Sequence, residues 1–108
     1  MTDARILLTT FDDLEQAKQF ARQLVEQRLA ACVNLIENVH STYRWQGKVE
    51  AASEILAIIK TTADRIETLK QAIARLHPYQ LPELLVLTVS DGSETYLSWL
   101  FSEVGMQY

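Results

Sequence analysis

The chain begins with a short apolar run at residues 5–10 (RILLTT), rich in β-compatible residues, which predicts a first strand. The period then changes. In LEQAKQFARQLVEQRLA the apolar residues fall at Leu14, Ala17, Ala21, Leu24 and Val25, then Leu29, the 3.6-residue spacing of a helix with one buried face. Asp12, with Glu15 three residues later, resembles a capping box at its start. From residue 31 to 45 no helical period remains, and Val33, Leu35, Val39, Thr42 and Tyr43 predict a strand. Gln46-Gly47 supplies a turn before Lys48 and Val49 resume, so a long hairpin with its tip at residues 45–48 is expected; the alternative is a bent or interrupted hairpin with Asn38 marking a kink. The return arm runs through SEILAIIKTT to Thr62, a plausible cap for a second helix carrying Ile66, Leu69, Ile73 and Leu76 at helical spacing. Pro78 stops that helix. Residues 83–90 (ELLVLTVS) predict a fourth strand. Ser93 then caps a short last helix with Tyr96, Leu97, Leu100 and Phe101 on one side.

The order β-α-β-β-α-β with an added C-terminal helix is an α+β, ferredoxin-like arrangement of four antiparallel strands with two helices on one face. We read residues 1–108 as one such domain. A sheet with one wet face should alternate apolar and polar residues. These strands do not. Ile55, Ala57 and Ile59 oppose Leu56 and Ile58; Leu84 and Val86 oppose Leu85, Leu87 and Val89; Ile6 and Leu8 oppose Leu7. At roughly 25 cal/mol per Å² of apolar area, leaving such strands wet forfeits many kcal/mol, so the open face is expected to be buried against other subunits. The hairpin points the same way. Its arms, at about 3.3 Å per residue, reach roughly 40 Å, against a radius of gyration of about 13 Å for a domain this size. The protruding tip, with Tyr43 and Trp45, suits pairing with a neighbour's sheet edge.

Composition narrows the function. Hydrophobic residues make up 48% and charged residues 22% of 108 positions, which is the balance of a globular chain. Ten basic against fourteen acidic residues leave a net charge of −4 with no basic stripe, which argues against nucleic acid as a partner. No run approaches the roughly 18–20 apolar residues of a membrane span, and the start lacks a secretory signal. One cysteine, Cys32, excludes an internal disulfide, and a cytoplasmic location is expected. With no Gly-rich phosphate loop, no nucleophile paired with a base and no telling pair of acids, the chain does not read as an enzyme.

The candidate chemistry gathers in LHPYQLPELLVL, residues 76–87. His77 can ligate a divalent metal, with Glu83 or Tyr79 supplying an oxygen from the same connector; it also reads as the end of the second helix, where a donor side chain suits the exposed carbonyls. Pro78 and Pro82 stiffen the joint that holds these groups. Cys32 is either a small buried hydrophobe or a soft metal ligand. Lys60, closing IIKTT, can bind an anion or pair with Glu83 in a cleft between subunits walled by Tyr43, Trp45 and Trp99, residues that also serve plain packing.

Taken in order, LAACVNLIENVHSTYRWQGKVE, EILAIIKTT, LHPYQLPELLVL and YLSWL resemble the divalent-cation tolerance proteins called CutA over nearly the whole chain. The resemblance implies a homotrimer of ferredoxin-like subunits, related in architecture to PII signalling proteins, with sheets facing inward and long hairpins joining subunits. It also implies binding of copper or another divalent metal. Some bacterial members use a cysteine at the end of the first strand and two adjacent histidines before the Pro-Tyr pair. The matching positions here are Thr9, Leu76 and His77, so one of three ligands is present. The alternative is a PII-like regulator that binds a small ligand or partner protein between subunits.

Overall fold

A computed structural model describes residues 1–105. The elements are β1 (Ala4–Phe11), α1 (Leu14–Glu26), β2 (Cys32–Trp45), β3 (Lys48–Thr62), a 3-10 turn (Ala63–Arg65), α2 (Ile66–Leu76), β4 (Leu85–Thr88) and α3 (Glu94–Glu103). The four strands form one antiparallel sheet in the order β2-β3-β1-β4, which is the ferredoxin-like topology expected from the element order.

Local chemistry explains most boundaries. Asp13, not Asp12, caps α1: its backbone is extended and its carboxylate accepts the Gln16 N–H at 3.1 Å. The buried stripe of α1 is Ala17, Phe20 and Leu24, while Val25, expected inside, is 42% exposed one helical step off the stripe. Ser93 caps α3 as expected, accepting from the Tyr96 N–H. At the hairpin tip Gln46 (φ 50°) and Gly47 (φ 81°) both take left-handed conformations, the two-residue turn whose twist matches its strands. The hairpin is also bent. Pairing shifts by a bulge between Ile36–Leu56 and Val39–Glu54, and Asn38 takes φ 61° there. β4 pairs only from Leu85 to Thr88, shorter than the expected 83–90, with Pro82 and its missing N–H just outside.

The main core lies between the sheet and α1 and α2: Leu7, Phe11, Ala57 and Ile59 from the strands meet Ala17, Phe20, Leu24, Leu69 and Ile73. The opposite face is also apolar. Residues directly paired in an antiparallel sheet share a face, so Leu87, Ile6, Lys60 and Cys32 form one row and Leu85, Leu8, Ile58 and Asn34 the next. α3 covers only one end of this face, where Leu100, Phe101 and Val104 pack on Ala4 and Ala31. Arg28 and Arg65 donate to the carbonyls of Glu103 and Val104 and fasten the end of that helix. Beyond α3, Leu85 (56%), Leu87 (47%) and Ile36 (46%) stay exposed in the single chain.

Ile59→Ala should cost about 2–5 kcal/mol, because it empties a fully buried place between sheet and helices. Urea unfolding of the variant checks this, and a loss below about 1 kcal/mol contradicts the assigned core.

Candidate functional site

His77 forms the C-cap of α2, its backbone N–H bonded to the Ile73 carbonyl at 3.0 Å, and then turns extended, as the residue before Pro78 must. The side chain is largely buried. It is 8% exposed, stacks on Phe11 at 4.4 Å between ring centroids, and meets the Tyr79 ring edge-on at 4.8 Å. Nε2 lies 2.7 Å from the Thr10 carbonyl, and Nδ1 accepts the Tyr79 backbone N–H at 3.1 Å. A carbonyl can only accept and an amide N–H only donate, so the proton sits on Nε2 and the ring is neutral. Burial lowers the His77 pKa below its ordinary value, against the opposing pull of the Thr10 carbonyl and the charges of Asp12 and Glu54.

Tyr79 continues the chain of contacts. Its phenol donates to Glu54 Oε2 at 3.2 Å, and burial, then the Asp12 and Glu54 carboxylates, push its pKa well above the usual range. The phenol therefore remains a donor at any physiological pH. Thus the connector carries a relay from the end of β1, through His77 and Tyr79, to β3. The sequence expectation placed His77 and Tyr79 together; it missed Phe11, Thr10 and Glu54. Glu54 had one legible signal, the lone acid of AASEILAIIK, set directly before the apolar run 55–59.

The residues matching the copper-binding triad do not fit a metal. Thr9 faces the helices, fully buried, and its hydroxyl has no hydrogen-bond partner among the described residues. Leu76 has no donor atom and lines a shallow groove of about 240 Å³ with Phe11, Pro78 and the glutamines of α1. Both nitrogens of His77 are spent. Nor do the expected co-ligands gather around it: Tyr79 is bonded to Glu54, Glu83 is exposed at the far end of the connector, and Cys32 lies on the open face. From the Ile6–Lys60–Cys32 row to Thr10 is four residues of β1, about 13 Å. Among the described residues no three His, Cys, Asp or Glu side chains converge on a place for a metal ion.

The expected cleft is half assembled. Lys60 Nζ sits 5.9 Å over the Tyr96 ring, which lies 5.4 Å from Trp99, so α3 brings two of its four residues together through a third. Tyr43 and Trp45 stand on the hairpin arm, and Trp45 is roughly 40 Å along the strands from Lys60. Only a neighbouring subunit's arm could bring all four types together.

Comparison with known proteins decides the family. Residues 5–103 match the family described as CutA1 divalent ion tolerance protein. The chain belongs to the CutA family. It is 42% identical to the divalent-cation tolerance protein CutA of Thermus thermophilus over 100 residues, covering 93% of this chain and 97% of that one. It superposes on the solved CutA of Synechococcus elongatus with a TM-score of 0.92 at 41% identity, covering 97% and 93% of the two chains. A CutA from Archaeoglobus fulgidus, named a periplasmic divalent cation tolerance protein, gives 0.89 at 31% identity over 94% and 98%. These names attach CutA proteins to divalent cations and to no reaction. In this CutA no helix among the described residues is long and apolar enough to cross a membrane.

Two measurements follow from the buried ring and the orphaned hydroxyl. Because His77 has a lowered folded pKa, the unfolded chain takes up a proton first, near 6.5, so stability is complete above that pH and declines as pH falls below it. Denaturation of wild type and His77→Gln from pH 7.5 to 5 should show the steeper acid loss in wild type; parallel curves contradict a buried neutral ring. Thr9→Val, which keeps the shape and removes the unpartnered hydroxyl, should raise stability by about 1 kcal/mol, whereas a comparable loss would reveal a partner for that hydroxyl.

Proposed function

We propose that this CutA protein acts in tolerance of divalent cations as a homotrimer, and that the divalent metal it takes, copper first, is held where subunits meet. The observation that carries this reading is the sheet face of Ile6, Leu8, Leu56, Ile58, Leu85 and Leu87, which α3 leaves largely uncovered. Such a face needs a cover, and copies of the same chain supply one with no other partner required. The metal reading rests on the family and on Cys32, a soft ligand that stands on this face and would be brought near its neighbours by assembly. Catalysis has no place in this reading. A single free thiol suits the reducing cytoplasm, where we place the protein.

A second reading is favoured by the Lys60–Tyr96–Trp99 cluster. An ammonium set in an apolar face becomes costly once neighbours cover it, and an anionic group in the cleft would offset that cost. This is the PII-like alternative, a small acidic ligand bound between subunits.

Calorimetric titration with Zn(II) and Cu(II), on protein whose thiol has been reduced and the reductant removed, separates the two. Metal binding at the subunit boundary predicts micromolar or tighter affinity that is lost in Cys32→Ser and in Ile58→Asp, whose charge parts the subunits, and is kept in His77→Ala. Loss in His77→Ala alone would return the metal to the connector. No heat with any metal, together with stabilisation by small carboxylates that Lys60→Met abolishes, would establish the second reading.

A further inference from the structure

We propose that His77 is a latch and not a metal ligand: its ring locks the connector onto the end of β1, so that Tyr79 holds Glu54 at the base of the hairpin arm. Three observations meet here. The ring is anchored on both nitrogens, to the Thr10 carbonyl and to the Tyr79 N–H, and is packed against Phe11. The second bond draws the Tyr79 backbone in beside the imidazole, and the phenol reaches Glu54. Glu54 is the residue paired with Val39 immediately past the bulge. There the ladder is interrupted, Asn38 takes a left-handed conformation, and the arm departs from the body of the sheet.

A bulge removes ladder bonds and lets the ribbon swing, so the direction of the arm is weakly specified by β2 and β3 alone. The Tyr79–Glu54 bond adds a side brace from outside the ladder at that hinge. At 3.2 Å the bond is a long one, so its value lies in direction more than in strength, and its donor stays protonated. Pro78 and Pro82 make the brace stiff by limiting the backbone on either side of Tyr79. This accounts for a histidine, a tyrosine and two prolines in one short joint with no metal among their duties. The latch lies within one chain. Its consequence, an arm aimed correctly at a neighbour, rests on the assembly proposed above.

The test is amide hydrogen exchange of the full chain. Tyr79→Phe should raise exchange about fivefold or more in residues 37–45 and 48–54, while residues 55–60 of β3 keep their protection. Glu54→Ala should match it, the double variant should add nothing further, and Glu54→Gln, which keeps an acceptor oxygen, should stay near wild type. Unchanged arm exchange in Tyr79→Phe, or additive effects in the double variant, would overturn the brace. The ligand half is read separately from the nitrogen resonances of His77: with excess Zn(II) the Nε2–H pattern should persist, and a displaced Nδ1 resonance would overturn it. Sedimentation of the same samples reports assembly independently, so a failure of the trimer leaves the exchange result intact.

Discussion

A sheet that is apolar on both faces cannot stand alone in water, and this constraint organises the chain. α1 and α2 cover the body of one face, and α3 covers one end of the other. What remains is a band from Leu85 and Leu87 across Ile6 and Leu8 to Leu56 and Ile58. At roughly 25 cal/mol per Å², covering even a few hundred Å² of it is worth several kcal/mol per subunit, comparable with the whole stability of a small domain. On the trimer proposed above, assembly would be part of the fold and not an addition to it. The single chain measures 47 × 25 × 23 Å, elongated by the hairpin arm.

The connector shows how a site can look like a metal centre and serve another end. A buried histidine with one nitrogen on a backbone carbonyl is half of the usual arrangement around a ligating imidazole. The other nitrogen decides the matter, and here it accepts an amide from two residues along the same chain. Breaking that bond to admit a metal would leave the Tyr79 N–H without a partner and free the brace on the hairpin. With Thr9 and Leu76 at the two positions beside it, the joint offers His77 no further donor among the described residues of the chain.

Much of the architecture was legible because strand and helix periods are long and unmixed here: the two-sided strands, the Gln46-Gly47 turn and the Ser93 cap follow directly from residue types. Errors arose where two residues satisfied one rule. Asp12 and Asp13 both suit a cap, and only backbone direction chooses between them. Val25 and Phe20 both suit a buried stripe, and the choice depends on where the sheet lies. The site was less legible because its decisive facts are contacts across 25 and 67 positions of sequence, Tyr79 with Glu54 and His77 with Thr10. No local pattern reports which nitrogen of a histidine is already occupied. The placement of α3 on the open face, which puts Tyr96 beneath Lys60, was hidden for the same reason.

The claim on which the rest depends is that copies of this chain cover the open face. Sedimentation equilibrium of the wild-type protein over a wide dilution series tests it most directly. The mass of three chains, held down to nanomolar concentration, is the predicted result. A stable, soluble species with the mass of one chain would contradict it, and would mean that the band from Leu85 to Ile58 tolerates water.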